Sequence, residues 1–197
     1  MENSIIEVQL RGHGVEQFST PRLIGRRLLP ADLDFLVELH ASPGVMGHSG
    51  GPRTAASTEP FVRSNVAHWR YYQFGLYVLS PADDPDRPIG RAGLRWDRRD
   101  GETPSADVSV VLTEAAWGRG YAVEAGTAMV TIARSLELPV TAGCRADHAV
   151  ARAVLEKIGF VHTENQLRNG EDWVRYRWPE DGRSPARLVP HPAESHR

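Results

Sequence analysis

The sequence predicts a single α+β domain, because its apolar pattern changes period along the chain. Two amphipathic helical segments come first, three short strands follow, and the last third alternates between strand and helix. A chain of 197 residues can bury one core without disulfides or structural metals. We divide it into an N-terminal arm or extra edge segment, residues 1–19, a domain, residues 20–178, and a tail, residues 179–197, whose proline and charge predict disorder.

The first half of the domain predicts a strand, two helices and a meander. The run "RLIGRRLL" has strand-like apolar positions, and Pro30 then favours the first turn of a helix that continues to about His40. A loop rich in Gly and Pro, "ASPGVMGHSGGPR", separates this helix from a second helix over residues 59–74. Turn-rich segments separate three strands and predict that they pair as an antiparallel meander. These strands cover residues 76–79, 89–96 and 106–112.

The second half predicts an alternation of helix and strand. A helical pattern begins after Gly120 and stops before Pro139, and a short strand follows over residues 140–144. Asp147 is a good N-cap for the next helix, and Gly159 is placed to terminate it. A final hairpin turns around "RNG", with strands expected over residues 160–166 and 171–178.

Composition excludes several classes of function. The formal net charge of -2 gives no global attraction for nucleic acid, so direct nucleic acid binding is not expected. The single cysteine, Cys144, can form neither an intramolecular disulfide nor a zinc-type cluster, which favours a reducing, cytoplasmic setting. No basic N-terminal region precedes an apolar stretch, and no run of about 18 apolar residues occurs, so neither secretion nor membrane spanning is expected.

The most informative segment leads from a buried strand into a helix. It reads "VSVVLTEAAWGRGYAVEAG", and Gly118 and Gly120 allow backbone torsions that are closed to other residues. Several N–H groups can then point together at the positive end of a helix, which suits a phosphate or pyrophosphate, and Arg119 could add a charged donor. An isolated G-x-G is equally compatible with a plain tight turn, and the Rossmann fingerprint is absent.

The same segment resembles motif A of the GNAT acetyltransferase superfamily, written Q/R-x-x-G-x-G/A. Trp117 occupies the first place of the motif, Gly120 its glycine and Ala122 its last place. The stretch "WGRGYAVEA" is similar to the subgroup of ribosomal-protein N-terminal acetyltransferases of the RimJ/RimL kind. Two more stretches, "TPRLIGRRLLPADLDFLVELHASPGVM" and "ADHAVARAVLEKIGF", resemble the opening strand and helix and the second coenzyme-binding helix of that subgroup. The resemblance covers residues 20–178.

This resemblance implies a bent mixed sheet whose fourth and fifth strands splay apart, flanked by about four helices. It implies acetyl-CoA as acyl-donor cosubstrate, with its pantetheine arm between the splayed strands, and no metal. The main chain of the fourth strand would bond the pantetheine, and the amides after it would bond the pyrophosphate. These positions are Val110, Val111, Leu112, Trp117, Gly118, Arg119, Gly120, Tyr121, Ala122 and Val123.

Three positions in the second coenzyme-binding helix depart from the family pattern. His148 and Ala151 stand where family members often carry Asn and Ser. His148 can still donate a hydrogen bond to the coenzyme, whereas Ala151 cannot. Many family members use a tyrosine as general acid at the place that Leu155 occupies, so we assign no general acid.

Two carboxylates are candidates for the general base. An alkyl amine with a pKa near 10 must lose a proton before it attacks a thioester. Asp107 stands where RimJ/RimL-like sequences often place a glutamate, although a solvated aspartate at a strand edge is an equal alternative. Glu114 is the second candidate and could instead be a surface loop charge. A backbone N–H near Val110 could stabilise the oxyanion, and Cys144, which lacks an evident base partner, is expected in the core.

The acceptor site is expected between the loop after the first helix, the second helix and the final hairpin. The candidate contacts, whose aromatics could equally be core residues, are His48, Ser49, Trp69, Tyr72, Trp96 and Trp173. Arg53, Arg63 and Arg70 could attract an acidic acceptor or simply form a solvated face. The sequence thus predicts an N-acetyltransferase that acts on a small-molecule or peptide amine by direct attack, and the resemblance implies a homodimer. The alternatives are a catalytically silent acyl-CoA-binding module and a structural scaffold.

Overall fold

The computed structural model of the protein describes residues 7–11, 14–98 and 103–179. These residues form nine strands in one sheet. The strands are β1 Glu7–Arg11, β2 Gly14–Ser19, β3 Leu23–Arg27, β4 Leu76–Pro81, β5 Gly90–Asp97, β6 Ser105–Leu112, β7 Val140–Arg145, β8 Val161–Arg168 and β9 Glu171–Arg177. The α-helices are α1 Leu33–Ala41, α2 Pro43–Met46, α3 Ala55–Tyr72, α4 Tyr121–Ser135 and α5 Ala149–Ile158. None of these helices is long and apolar enough to cross a bilayer.

The sheet is mixed, which confirms the predicted α+β architecture. Its strand order is β1-β2-β3-β4-β5-β6-β7-β9-β8. The strands from β1 to β6 pair antiparallel with their neighbours, β6 and β7 are parallel, and β9 inserts antiparallel between β7 and β8. The predicted meander therefore forms from β4 to β6, and the predicted hairpin closes the other edge.

Helices cover both faces of the sheet, and alternate residues of β6 point to different faces. Ala106 and Val108 pack into the larger core with residues of α4 such as Ala128 and Met129. Val111 packs on the other face, in a second core that α1 and α3 share, where Leu36 is fully buried. Both faces of β6 are thus covered, as expected for a strand in the middle of a layered sheet.

The helices differ from the sequence prediction at three places. A short helix, α2, lies within the segment predicted as a loop, residues 41–53. Helix α3 begins at Ala55 rather than near Glu59, because Thr54 caps it by accepting a hydrogen bond from Ser57 N–H at 3.3 Å. The prediction that Asp147 caps α5 is wrong: His148 is the N-cap residue and makes no side-chain cap bond. Arg145 instead holds the Asp147 carboxylate with two hydrogen bonds of 3.0 and 2.9 Å.

The N-terminal segment continues the sheet. Val15 and Phe18 of β2 are buried in the larger core, and the Tyr77 hydroxyl donates to Val15 C=O at 2.7 Å. Gly25 on β3 leaves room for the Phe18 ring, which a Cβ at that position would overlap. β1 and β2 therefore lie at one end of the sheet, next to β3. The predicted tail beyond Pro179 lies outside the described residues.

Candidate functional site

The two parallel strands in the middle of the sheet separate soon after they begin. β6 pairs with β7 over only three residues, from Ala106 opposite Val140 to Val108 opposite Ala142. On its other side β6 pairs with β5 along all eight of its residues. A gap therefore opens between the carboxyl ends of β6 and β7, where the splay was predicted.

Main-chain groups of β6 line this gap. Ala106 N–H donates to Pro139 C=O on the β7 side, and Thr113 N–H donates to Ile89 C=O on the β5 side. Because peptide direction alternates along a strand, the peptide groups of Val110 and Leu112 face the gap. Trp117 Nε1–H already donates to Leu112 C=O at 3.0 Å. Three main-chain groups that face the gap are therefore free to hydrogen-bond to a ligand. They are the amide and carbonyl of Val110 and the amide of Leu112.

Two of the predicted contacts do not fit this geometry. The alternation directs the peptide groups of Val111 toward β5, where it pairs with Arg91. The predicted main-chain contact of Val111 with a coenzyme therefore conflicts with its place in the β5 ladder. The Trp117 indole donates within the protein to Leu112, so it fixes the end of β6.

The loop after β6 presents a run of unpaired amides. Trp117 N–H donates to Glu114 C=O, and the next amide that donates within the described residues is Glu124 N–H, to Gly120 C=O. The main-chain N–H groups from Gly118 to Val123 have no hydrogen-bond partner among the described residues. Gly118 and Gly120 have φ values of 72° and 79°, a region that favours glycine. These amides and the α4 dipole form a cradle for a pyrophosphate, as the motif predicts.

An ion pair from the N-terminal part of the domain supports this cradle. Arg22 Nε–H donates to Glu124 Oε2 at 2.7 Å, and Arg22 Nη1 donates to Arg119 C=O at 2.7 Å. The Thr20 hydroxyl donates to Glu124 Oε1 at 2.6 Å. The Arg22 guanidinium also lies 5.0 Å from the centre of the Tyr121 ring. Four contacts thus fix the loop from the side, while its amides stay free.

Asp107 lies on the face of β6 opposite α4. It is directly opposite Arg95 on β5 and Thr141 on β7, so it belongs to an internal strand and the alternative of a strand-edge aspartate is excluded. The Thr141 hydroxyl donates to Asp107 Oδ1 at 3.3 Å and lies 3.1 Å from the Ser105 hydroxyl. The Asp107 side chain is half-buried at the base of the gap, where the two strands begin to separate.

The environment of Asp107 makes it a stronger base than an ordinary aspartate. Burial, together with the charge of Asp97, raises the pKa of its carboxyl to about 6. Arg168, Arg175 and the Thr141 hydroxyl oppose the rise without cancelling it. A carboxylate with this pKa is ionised at neutral pH and can accept a proton.

Glu114, the second candidate base, lies away from Asp107. It is exposed in a 3-10 turn after β6, and its Oε1 accepts a hydrogen bond from Ser42 Oγ at 2.8 Å. It is seven positions after Asp107, and most of the intervening chain is extended strand, which corresponds to roughly 20 Å. The two carboxylates therefore cannot accept the same proton, and Glu114 links the turn to the loop after α1.

His148 lies beside the gap, because α5 begins just after the carboxyl end of β7. Its half-buried ring stacks on His48, with centroids 4.2 Å apart and planes 16° from parallel. His48 Nδ1 is 3.5 Å from Asp147 Oδ1. The pKa of His148 is lowered, mainly by burial and to a smaller extent by its electrostatic interaction with His48. The pair joins the loop after α2 to the start of α5. Leu155 is buried further along α5 and offers no proton donor.

The other candidates divide between core and surface. Trp69 is buried and donates Nε1–H to Leu76 C=O at 2.8 Å, so it is a core residue. Tyr72 is partly exposed and stacks on Trp96 at a centroid distance of 5.4 Å. Cys144 is buried, and burial raises the pKa of its thiol to about 11, which leaves it a poor nucleophile. Ser49 lies in the loop after α2, and the Arg168 guanidinium lies 5.1 Å from the Trp173 ring.

Sequence reasoning missed Arg91, which lies on the same face as Asp107. Its guanidinium is buried, donating from Nε to His40 Nε2 at 3.1 Å and from Nη1 to Ser109 Oγ at 3.2 Å. A charged residue in the otherwise apolar run "PIGRAGL" was the signal in the sequence that could have identified it.

Comparisons with known proteins agree with this geometry. A family model described as an acetyltransferase (GNAT) domain matches residues 22–161. A solved acetyltransferase from Agrobacterium tumefaciens str. C58 is 26% identical, with a TM-score of 0.73 over 87% of this chain and 99% of its own. A sequence comparison with curated proteins gave no match.

Two more distant structures share the fold. An acetyl transferase from Salmonella typhimurium that modifies the N-terminal serine of a 50S ribosomal subunit protein is 17% identical, with a TM-score of 0.67 over 80% of this chain and 94% of its own. Aminoglycoside acetyltransferase AAC(6')-Ib, solved in complex with coenzyme A, is 18% identical, with a TM-score of 0.67 over 81% of this chain and 95% of its own.

The family match spans most of the chain, from β3 to the start of β8, and includes the cradle, the gap and Asp107. The chain belongs to the GNAT acetyltransferase family and is an acyltransferase.

Proposed function

We propose that the protein transfers an acetyl group from acetyl-CoA to a primary amine, by direct attack within a ternary complex. The observation that carries this proposal is the run of free amides from Gly118 to Val123 next to an open gap between β6 and β7. Asp107 lies across the sheet from α4, at the base of the same gap. One side of the gap is thus suited to a coenzyme and the other to an amine.

The proposed coenzyme contacts follow from the free donors. The amides of Gly118, Arg119, Gly120, Tyr121, Ala122 and Val123 would hold the pyrophosphate, and Arg119 is exposed beside it. The open peptide groups of Val110 and Leu112 would hold the pantetheine amides. His148 would contact the coenzyme from α5. Acetyl-CoA, bound in this way, supplies an acetyl group activated as a thioester.

On the other side of the gap, Asp107 is the proposed general base. At pH 7 its carboxylate is ionised and accepts a proton from the ammonium group, directly or through water. Thr141 holds the carboxylate by donating to Oδ1. The free N–H of Val110, which points into the gap, is placed to stabilise negative charge on the carbonyl oxygen. Leu155 cannot serve as an acid, so the leaving thiolate takes its proton from solvent or from the attacking amine.

The fold neighbours support two kinds of amine acceptor. One neighbouring enzyme modifies a protein N-terminus, as the RimJ/RimL subgroup does. Another neighbouring enzyme is an aminoglycoside acetyltransferase. We propose that the acceptor is a peptide or small-molecule amine, that the protein acts in the cytoplasm, as its single cysteine favours, and that it forms homodimers.

Calorimetric titration with acetyl-CoA, followed by a thiol-release screen across peptide N-termini, polyamines and aminoglycosides, tests this function. We expect saturable binding at one site per chain and thiol release that depends on one class of amine. Binding without turnover on any amine would favour a silent acyl-CoA-binding module. An absence of binding would overturn the proposal.

A further inference from the structure

The face of the sheet that carries Asp107 also carries three arginines that form no ion pair within the described part of the chain. Arg91 and Arg95 lie on β5, and Arg53 lies in the loop before α3. None of the three forms an ion pair with a carboxylate of the residues that the structure describes. Other arginines on or near the sheet form ion pairs. Arg26 donates two hydrogen bonds to Asp32, and Arg27 and Arg175 are also paired with carboxylates.

Arg91 is the most unusual of these arginines, because it is buried and all its partners are neutral. Its side chain contacts His40 and Ser109 and lies 5.2 Å from the centre of the Phe61 ring. Arg53 lies 4.9 Å from the centre of the same ring. Burial, together with the charges of Arg53 and Arg95, lowers the pKa of Arg91 to about 10. A buried charge without a counter-ion is costly, so a function is the expected reason to retain it.

The neighbour of Arg91 is held in the neutral form. His40 is fully buried. Burial is the main cause that lowers its pKa to about 4, and the positive charges of Arg91 and Arg53 contribute to the same shift. Its Nε2 accepts from Arg91 Nε–H, so the proton of the neutral ring is on Nδ1. His40 thus fixes the orientation of the guanidinium without adding or neutralising charge.

One end of the Arg91 guanidinium is open to a ligand. Nε and Nη1 donate to His40 and Ser109, whereas Nη2 has no partner among the described residues. Nη2 is not among the completely enclosed polar atoms that lack a partner in the described residues, so its surroundings are not entirely closed. Planar N–H groups of this kind bind carboxylates tightly and directionally.

We propose that the acceptor is an amine whose own molecule carries a carboxylate, bound by Arg91 and Arg53, within a few bonds of the amine that Asp107 deprotonates. This proposal rests on the proposed function. Ser109, which contacts Arg91, is two residues from Asp107 on the same face of β6, a distance of about 7 Å along a strand. Both Ser109 and Asp107 are half-buried and border the gap.

The two ends of this face complement such a molecule. At one end Asp107 and Asp97 provide the negative charge that attracts an ammonium group, although Arg168 and Arg175 moderate it. At the other end Arg91 and Arg53 provide positive charge without a counter-ion among the described residues. A neutral or purely cationic amine would leave Arg91 buried and uncompensated, whereas a carboxylate would satisfy it. The shared chemistry is present both in free amino acids and in peptide N-termini that bear acidic side chains.

The test compares acceptors that differ only in a carboxylate and its carboxamide. Thiol release would be measured with β-alanine against β-alaninamide, and with the dipeptide amides Ala-Glu-NH2 against Ala-Gln-NH2. Carboxylates are expected to be preferred by about ten- to hundredfold in kcat/KM, as for a charge-assisted hydrogen bond. β-Alaninamide has the less basic and more readily deprotonated amine, so its intrinsic reactivity opposes this result. Which pair shows the preference identifies a free amino acid or a peptide.

Three variants locate the effect. Arg91→Met and Arg53→Gln should each reduce the preference to about twofold or less, mainly through KM for the carboxylate. Arg53 is half-exposed, so its replacement should leave the fold intact even if Arg91→Met does not. Arg134→Gln is the matched control, because it removes the same charge from an exposed position in the last turn of α4 and should keep the preference.

Calorimetric titration of the same probes into the protein saturated with free coenzyme A gives a readout that does not depend on turnover. Tighter binding of the carboxylate, lost in Arg53→Gln, supports the proposal. Equal or tighter binding of the carboxamide, or turnover of neutral amines alone, overturns it while leaving acetyl transfer intact. Failure to bind coenzyme A would instead remove the proposed function, and equal binding of both probes to the protein alone would then remove this proposal as well.

Discussion

The two sides of the gap between β6 and β7 obtain their chemistry in different ways. On the α4 side the donors are main-chain amides from one continuous loop, residues 118–123. On the other side the chemistry comes from side chains of separate strands and helices, with Asp107 on β6, Arg91 on β5 and His40 on α1. A site made of backbone depends on glycines and a helix start, which are local, whereas a site made of side chains depends on the pairing of distant segments.

The largest expected effect is on the main-chain side. Gly120→Val should weaken acetyl-CoA binding by about 100-fold or more, because φ there is 79° and a Cβ would meet Arg22 Nη2 at 3.3 Å. Gly170→Val is the matched control, since Gly170 has φ 80° and no atom within 4 Å of the added Cβ. Calorimetry and thermal melting of both variants would be compared. Unchanged affinity in Gly120→Val would remove the pyrophosphate assignment.

A comparable effect on turnover is expected on the side-chain side. Asp107→Asn should lower kcat by about 100- to 10,000-fold while the Kd for acetyl-CoA stays near that of the parent, because the amide cannot accept the proton. Steady-state kinetics with the best acceptor would measure this. Glu114→Gln is the control and should retain activity, since Glu114 contacts Ser42 away from Asp107. If Asp107→Asn turns over like the parent, the base is elsewhere.

The raised pKa of Asp107 predicts two pH effects. The parent kcat/KM should fall as pH drops through about 6, where the carboxylate takes up a proton, and the variant should lack this limb. Because the folded pKa is above the ordinary value of 3.8, ionisation of Asp107 opposes folding, and its contribution to stability is lost as pH rises from about 4 through 6. Asp107→Asn should therefore melt at a higher temperature than the parent at pH 8. A lower melting temperature would contradict this.

A smaller effect on coenzyme binding is expected when the Arg22 contacts to the cradle are removed and the amides of the cradle are kept. Arg22→Ala should weaken acetyl-CoA binding by about tenfold, because the loop loses the Arg22 bonds to Glu124 and Arg119 but keeps its own amides. Arg87→Ala removes an arginine from an exposed ion pair with Asp84 and should leave binding unchanged. Calorimetric titration of both variants with acetyl-CoA measures this difference. Equal affinities of the two variants for acetyl-CoA would show that the loop holds its shape without Arg22.

The smallest effect is expected at Cys144. Cys144→Ala should change kcat by no more than about twofold, since the buried thiol with its raised pKa is a poor nucleophile. Its stability cost should be about 1 kcal/mol, from lost packing alone. Mass spectrometry of the parent after mixing with acetyl-CoA provides the decisive measurement. An acetyl group on Cys144 would replace direct attack with a covalent route.

The backbone side of the site could be predicted from the sequence almost completely. Gly118 and Gly120 do adopt positive φ, and α4 begins directly after Gly120. Two details required the structure. Alternation along β6 turns Val111 toward β5, and the Trp117 indole donates to Leu112, neither of which motif spacing reveals.

The side-chain part could be predicted only in outline. Asp107 became a candidate through resemblance, but whether its carboxyl was half-buried within the sheet or solvated at an edge depended on β7 pairing beside it. Glu114, the second candidate in the sequence, lies roughly 20 Å along the chain from Asp107 and contacts Ser42. Arg53 was named among three arginines, and the structure groups it with Arg91 around Phe61, while Arg63 and Arg70 stay exposed.

The sequence by itself determined the α+β class, the strands from β3 to β9, every helix except the short α2, and the loop that carries the free amides. It could do so because apolar periodicity, glycine and proline act within a few residues. Only the tertiary structure decided how far β6 and β7 pair, which charges acquire partners and which pKa values shift. Those properties depend on desolvation and on contacts between residues far apart in the chain, such as Arg91 with His40 and Asp107 with Thr141.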